Sequence, residues 1–361
     1  MNGTRLHYVT GGEGEPLVLL GGWPQTWWQF HKIMPELARH YRVIAVDLRG
    51  MGGSAKPPSG YDKKTMARDI HELIRHLGHD SAHLVGHDIG AMVAYAVAAN
   101  HPETTRKVAL LDVAHPDQNF LEIPMLPTAE PGTDWETGPG YYLWWFAFNQ
   151  VKGLPEQLLD GRVGVFNDWL FGYMLKDQSS IDERSRAVYA AAYSTPDALR
   201  AGNAWYQAFR HDIADFATYE PVRAPLLGLA GEANLDYLRE SLTRHGTDAA
   251  VRAVPDAGHY LPEEQPEPLL DAGRGHPDHH GSQRRHGDRV RRGGGPHRVD
   301  GRAAHRHVLR LPGRVHRQID SGPAGQRTFS ARGMARQPGA TFRVTNASEF
   351  GVVVAVKLAL A

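Results

Sequence analysis

The chain of 361 residues contains no cysteine, which excludes disulfide bonds and thiolate chemistry. It has no apolar run of roughly 18 residues or more, and its first residues lack the charged-then-apolar pattern of a secretory signal. No spacing of histidines and carboxylates typical of a metal site stands out. We therefore expect a cytoplasmic protein with no membrane span, no metal and no cofactor, while its oligomeric state stays open.

Charge is balanced over the whole chain but not along it. Residues 1–271 contain 23 Lys+Arg and 35 Asp+Glu, a formal charge of −12, whereas residues 272–361 contain 17 and 5, a formal charge of +12. The second part also lacks tryptophan and tyrosine, and arginine, glycine, histidine and proline dominate it up to about residue 340. Such a composition does not build a packed core, so we expect residues 272–361 to form a disordered tail.

Two interpretations of the tail follow from its composition. Its arginines, densest at 284–298, would bind nucleic acid without sequence specificity. We favour another interpretation, because the composition changes abruptly within residues 266–271, in the middle of an amphipathic helix pattern. A continuation rich in Arg, Gly, Pro, His and Ala is typical of a shifted reading frame in a G+C-rich gene, so we expect no specific nucleic-acid partner.

Strand and helix patterns alternate through the first 271 residues. Short segments typical of buried strands occur at 17–20, 41–50, 82–85, 106–112, 225–230 and 249–254. Between the second and third lies an amphipathic helix pattern, with Met66, Ile70, Leu73, Ile74 and Leu77 on one face. This alternation predicts a mostly parallel sheet covered by helices on both faces.

The segment Gly86-His87-Asp88-Ile89-Gly90 follows one of these strands and opens an alanine-rich helix. This is the context of a nucleophile elbow, in which a strained turn presents a reactive side chain between two glycines. Here the side chain at the apex is the carboxylate of Asp88. A carboxylate nucleophile attacks an sp³ carbon and forms an ester, which indicates opening of an epoxide or displacement of a halide.

Four motifs in this order resemble the α/β-hydrolase superfamily, and within it the branch of epoxide hydrolases and dehalogenases. They are Gly22-Trp23-Pro24-Gln25-Thr26-Trp27, Asp47-Leu48-Arg49-Gly50-Met51-Gly52-Gly53-Ser54, the elbow, and Ala257-Gly258-His259. The resemblance extends over residues 4 to 271. It implies an α/β-hydrolase fold with core segments 1–115 and 219–271 and an inserted helical lid at 116–218.

An ester on Asp88 needs a water activated by a base, and the base needs an orienting acid. His259 follows a strand and a Pro/Gly turn, which favours it over His87, beside the apex, and His115, at another strand end. Two acids are candidates, Asp112 after the next strand and Glu232 after a later one. We prefer Asp112, since several relatives resemble this chain in using the earlier position.

The resemblance also implies how charge is stabilised. The backbone N–H groups of Trp23 and Ile89 are expected to form the oxyanion hole. In this chain Gly21-Gly22 stands where relatives usually have His-Gly, which makes that loop less rigid. In the aromatic lid, Tyr206 is the predicted donor to the epoxide oxygen, and the segment where relatives carry a second donor aligns best with Trp144, or with Tyr142 if the register slips. Trp145, with Trp144 and Trp23, could offer an N–H group to a departing halide, and Tyr142, Trp144 and Trp145 are expected to bind substrate.

The prediction is therefore hydrolysis of a small apolar epoxide to a vicinal diol, through an ester on Asp88 that His259 helps to hydrolyse. Dehalogenation with the same Asp88, His259 and Asp112 is the alternative. Small haloacids do not fit, because Ile89 and Met92 occupy positions where arginines would bind a carboxylate. A third hypothesis is a non-catalytic member of the fold that binds ligands without turnover.

Overall fold

The computed structural model describes residues 1–126 and 142–274 and the backbone of 342–346. Most of the tail predicted at 272–361 therefore lies outside the described residues, as does Tyr141 of the aromatic segment. Among the described residues no helix is both long and apolar enough to cross a bilayer.

The strands of the described residues are β1 His7–Gly11, β2 Glu15–Leu20, β3 Tyr41–Asp47, β4 Ala82–His87, β5 Thr105–Leu111, β6 Leu226–Ala230, β7 Ala249–Ala253 and β8 Phe342–Asn346. They form one mixed sheet in the order β7-β6-β5-β4-β2-β3-β1-β8. Strands β2 to β7 pair in parallel, while β1 pairs antiparallel with both β3 and β8. All six strand patterns read from the sequence are confirmed, and the mostly parallel sheet with them.

Two strands were not expected from the sequence. In β1 only Tyr8 and Val9 are apolar, so the strand has no apolar run that identifies it, and its partner β8 lies within the segment predicted to be disordered. Both strands are defined by backbone pairing. Strand β1 pairs with β3, with Gly11 opposite Val43 at one end and His7 opposite Asp47 at the other. Strand β8 then pairs with the other edge of β1.

Helices of the core connect and cover the strands. They are α1 Met34–Leu37, α2 Lys63–His76, α3 Ile89–Asn100, α10 Leu235–His245, α11 Leu261–Glu264 and α12 Pro266–Arg274. The predicted face of α2 is buried against α3, and α3 is itself buried along almost its whole length. This side of the sheet holds the larger core cluster, which explains why α3 reads as almost continuously apolar.

The opposite side of the sheet carries an apolar groove of about 700 Å³. Its walls include Leu17 of β2, Val85 of β4, Leu111 of β5, Leu227 of β6, and Leu269 of α12. A parallel sheet is normally covered on both faces. The groove therefore lies beside α12, the helix whose amphipathic pattern is interrupted by the change of composition at residue 271.

Between β5 and β6 the chain leaves the sheet for residues 116–218, here called the helical insertion. Its described helices are α4 Trp144–Gln150, α5 Leu154–Leu159, α6 Val163–Met174, α7 Glu183–Ala192, α8 Pro196–Gln207 and α9 Phe209–Phe216. A buried ion pair joins it to the core: Lys63 Nζ lies 2.8 Å from Asp212 Oδ2 and donates to the carbonyl of Trp205 at 2.9 Å. These bonds fix the end of α8 above the carboxyl ends of the strands.

Candidate active site

Asp88 lies at the apex of a strained turn between β4 and α3. Its backbone has φ 52° and ψ −124°, a conformation that costs a non-glycine residue about 1–3 kcal/mol. The flanking glycines are required sterically, because a Cβ at Gly86 would collide with Gly90 and a Cβ at Gly90 with the carbonyl of Leu20. The turn therefore holds the carboxylate above the sheet, as the elbow motif predicts.

The two carboxylate oxygens of Asp88 face different groups. Oδ1 accepts a hydrogen bond from the N–H of Trp23 at 2.9 Å, and the N–H of Ile89 also donates to this carboxylate. Oδ2 lies 3.8 Å from His259 Nε2. Burial raises the pKa of Asp88 above its ordinary value, against the opposing effects of His259 and the two N–H groups. Oδ1 therefore binds the first of the two predicted oxyanion donors, the second also acts on this carboxylate, and Oδ2 faces the base.

The loop that carries Trp23 is held by a side chain that the sequence did not single out. Gln29 Oε1 accepts the N–H of Gly22 at 3.1 Å, and the Gln29 side chain is completely buried. This bond restrains the Gly21-Gly22 segment directly before Trp23. A single sequence gives no signal for Gln29, because its role depends on how the loop turns back on itself.

His259 is placed between Asp88 and Asp112. Its Nδ1 lies 2.7 Å from Asp112 Oδ2, the distance of a strong hydrogen bond to a carboxylate. Burial opposes protonation of His259, but the hydrogen bond to Asp112 and the charges of Asp112, Asp88 and Glu264 outweigh it and raise its pKa. The geometry fixes the tautomer in which Nε2 faces Asp88 and is free to accept a proton.

Of the two candidate acids, the structure brings only Asp112 to His259. Asp112 is fully buried, has a positive φ of 65°, and also accepts a hydrogen bond from Asn234 Nδ2 at 2.7 Å. The Glu232 side chain is 73% exposed and its Oε2 lies 4.0 Å from Lys176 Nζ. Asn234 is a second residue that sequence reasoning missed, since it begins a helix and gives no catalytic pattern.

The two rival histidines occupy other positions. His87 is buried with its ring 4.7 Å from that of His259, and its Nε2 lies 2.8 Å from the carbonyl oxygen of His259. Burial lowers the pKa of His87 well below its ordinary value, so the neutral ring supports the loop as a hydrogen-bond donor. His115 stacks on Phe216, and burial lowers its pKa to about 3.

A cavity of about 360 Å³ lies above Asp88 and His259, toward the helical insertion. Its walls are mostly apolar: Met92, Val113, Phe120, Ile123, Leu143, Phe146 and Met174. No lysine or arginine occurs among the described residues that line it. The site therefore suits a small uncharged molecule better than a carboxylate.

Polar side chains of the insertion also line this cavity, among them Asn119, Tyr206 of α8 and Trp145 of α4. The Trp145 side chain lowers the pKa of the Tyr206 hydroxyl, an effect that burial outweighs. Burial and the charge of Asp88 raise the pKa of Tyr206 well above its ordinary value, which keeps its hydroxyl protonated.

Two other predicted substrate-binding residues, Trp144 and Tyr142, do not belong to the described cavity lining. Trp144 packs against Phe166 and Trp169, and Tyr142 packs against Tyr173.

Similarity to known proteins identifies the family of this chain. The sequence profile of the alpha/beta hydrolase fold matches residues 15–209. The soluble epoxide hydrolase of Corynebacterium sp. (strain C12) is 32% identical over 293 residues, which cover 75% of this chain and 93% of the relative. The chain therefore belongs to the α/β-hydrolase fold family.

Two further similarities indicate one branch of the α/β-hydrolase fold family. A fluoroacetate dehalogenase from Burkholderia sp. is 31% identical over 241 residues, 64% of this chain and 75% of the relative. The solved epoxide hydrolase CorEH without ligand is 30% identical, with a TM-score of 0.66 over 76% of this chain and 94% of that one. This protein is a hydrolase of the branch that contains epoxide hydrolases and dehalogenases.

Proposed function

We propose that this protein opens a small apolar epoxide to a vicinal diol through a covalent ester on Asp88. The observation that carries the proposal is the pairing of a carboxylate at the elbow with two hydrogen-bond donors across the cavity. Asp88 Oδ2 attacks one epoxide carbon, and the carbon–oxygen bond of the ring breaks. Tyr206 and Trp145 donate hydrogen bonds to the epoxide oxygen, on which negative charge develops as this bond breaks.

The second step releases the diol. Water attacks the carbonyl carbon of the ester and gives its proton to His259 Nε2, while Asp112 stabilises the imidazolium that forms. The negative charge on Oδ1 is held by the N–H groups of Trp23 and Ile89. Collapse of this intermediate breaks the acyl–oxygen bond between Asp88 and the diol, and the proton on His259 passes to the departing oxygen. The second proton of the attacking water, left on the Asp88 carboxyl group, passes to the former epoxide oxygen, so the diol leaves neutral and Asp88 returns to its carboxylate form.

The lining of the cavity favours an epoxide over a charged haloacid. Near Asp88 a carboxylate substrate would be repelled, and the described lining offers no lysine or arginine to compensate. The donors Trp145 and Tyr206 would also suit a departing halide, which keeps dehalogenation of an uncharged halide as the second candidate. The similarity to a fluoroacetate dehalogenase supports this alternative at the level of the branch.

A single turnover in ¹⁸O-labelled water tests the covalent route. Enzyme in excess over an aryl epoxide is expected to carry label in the Asp88 carboxylate, because water attacks the ester carbonyl and not the substrate. Label found only in the diol would overturn the proposal. If neither label nor diol is detected, the result favours the hypothesis of a binding protein without turnover.

Rates on matched substrates decide between epoxide and halide. An epoxide and an alkyl bromide of the same carbon skeleton are compared by diol formation and bromide release. We expect the larger kcat/KM for the epoxide. The opposite order would assign the protein to the dehalogenases of the branch.

A further inference from the structure

The loop that bears His259 is held from behind by one buried carboxylate, that of Glu264. Its Oε1 accepts the N–H of Tyr260 at 2.9 Å, and its Oε2 accepts the N–H of Gly258 at 3.1 Å. Glu264 lies in α11, only 8% exposed. The two residues bonded to it flank His259 in the sequence, so one side chain fixes the backbone on both sides of the base.

The same carboxylate connects this loop to the helical insertion. Glu264 Oε2 also accepts the N–H of Lys176 at 2.8 Å, just after α6. The N–H of His259 itself donates to the carbonyl of Met174 at 3.1 Å. Gly258 is required at this junction, because a Cβ there would lie 2.9 Å from the nitrogen of Lys176 and 3.0 Å from Glu264 Oε1. The base is therefore held where core and insertion meet.

We propose that Glu264 is a positioning residue for the hydrolytic step: its carboxylate holds the His259 loop so that Nε2 faces the ester on Asp88. The inference rests on the proposed function, since it concerns the breakdown of that ester. Three N–H donors to one buried carboxylate are charge-assisted bonds, which are stronger than bonds to a neutral acceptor. Glu264 does not belong to the described lining of the cavity, so it acts through His259 and not on the substrate.

The neighbouring residue Glu263 offers a matched control. Glu263 is also buried, but it accepts the hydroxyl of Tyr189 and lies 3.2 Å from Lys32 Nζ. Burial raises its pKa to about 7. Glutamine at position 263 can still accept from Tyr189, whereas at position 264 its amide N–H₂ would face backbone N–H groups and lose at least one bond.

The experiment follows the two chemical steps separately in Glu264→Gln, Glu263→Gln and the unmodified full chain. Mass spectrometry after rapid quenching measures how fast an aryl epoxide esterifies Asp88 and how fast that ester disappears. The rate of disappearance is taken per esterified site, so a lower folded fraction does not affect it. In Glu264→Gln we expect ester formation within about threefold of normal and breakdown about 10–100-fold slower, a range typical of a misplaced catalytic group.

A pH profile supplies a readout that a purely structural role would not move. The groups facing His259 are Asp88, Asp112, His87, Tyr260 and Glu264, and the negative charge of Glu264 is one of those that raise the pKa of His259. Removing it lowers that pKa, so the pH at which ester breakdown reaches half its plateau should fall in Glu264→Gln. In Glu263→Gln both the rate of breakdown and this midpoint should stay as in the unmodified chain.

Three outcomes are distinguishable. Absence of an ester in the unmodified chain would overturn the proposed function itself. An ester that Glu264→Gln hydrolyses at the normal rate would overturn only the role of Glu264. Loss of ester formation in Glu264→Gln, or equal slowing in both glutamine variants, would also overturn it, because the carboxylates would then serve the fold in general.

Discussion

The two walls of the cavity are built in different ways. The lower wall, at the carboxyl ends of the strands, presents Asp88, Asp112 and His259 from short loops whose backbones are fixed by a strained turn, a positive φ and paired N–H groups. The upper wall belongs to the helical insertion and is an aromatic cluster, in which Tyr206 packs against Trp23, Phe146 and Phe209. Polar groups at the lower wall are positioned by backbone geometry, whereas the donors of the upper wall are positioned by side-chain packing.

The difference predicts unequal sensitivity to substitution. Bonds on the lower wall are short and directional, so a single change removes a whole chemical step. On the upper wall the two donors share one task, so the loss of one should be partly tolerated. The following variants test that contrast.

Replacement of His259 by glutamine should have the largest effect. Glutamine keeps much of the volume but cannot accept the proton of water, so breakdown of the ester should slow by roughly 10⁴-fold or more. Formation of the ester needs only the carboxylate and should persist. Accumulation of the Asp88 adduct, followed by mass spectrometry, checks this, and rapid multiple turnovers without an adduct would contradict it.

Asp112→Asn should follow, with a loss of about 10³-fold in turnover. An amide at this position does not stabilise the imidazolium and favours the wrong tautomer of His259. Because the carboxylate of Asp112 helps to raise the pKa of His259, the half-maximal pH of any remaining ester breakdown should also fall. Glu232→Gln is the control, since that exposed side chain lies away from the base; comparable losses in both variants would reopen the choice of acid.

Tyr206→Phe should reduce ester formation by about 10²-fold, in the range found for one lost donor. Ester breakdown should change less, because the oxyanion of that step faces Trp23 and Ile89. Trp145→Phe removes the neighbouring donor and should cause a smaller or similar loss in the same step. Stopped-flow measurement of the two steps separates them, and an effect of Tyr206→Phe confined to breakdown would contradict this assignment.

The smallest effect concerns the far side of the sheet. We propose that residues 272–361 are translated out of frame and that the groove along Leu111, Leu227 and Leu269 belongs to an amphipathic continuation of α12. Replacing residues 272–361 with the continuation read in another frame of the coding DNA should raise Tm by several degrees, at about 2–4 °C per kcal/mol of added stability. Turnover should rise a fewfold, since α12 follows the His259 loop.

Two observations would contradict this proposal. One is that neither of the other two reading frames near codon 271 encodes the continuation of an amphipathic helix. The other is that the two chains have the same Tm and the same turnover. The comparison concerns the core, because Leu269 of α12 packs in the cluster that contains Leu111 and Leu229. Calorimetry and steady-state kinetics on the two chains are sufficient.

Much of the lower wall was determined by the sequence itself. The elbow around Asp88 and the Gly-His at 258–259 are local patterns, because a strained turn restricts which residues fit within a few positions of it. The alternation of strands and helices likewise predicted that β2 to β7 are parallel, since period and turn chemistry are properties of short segments. Strand β1 was missed because it has no apolar run, and only its pairing with β3 makes it a strand of the sheet.

Only the tertiary structure decided between residues that the sequence left as alternatives. Asp112 and Glu232 both follow strands that are neighbours in the sheet, and their loops alone turn one inward to His259 and the other toward Lys176 and solvent. In the insertion, adjacent Trp144 and Trp145 point to different surroundings because successive positions of a helix lie about 100° apart. Glu264 and Gln29 gave no signal at all, since their role is to bind backbone groups that only the folded chain brings within reach.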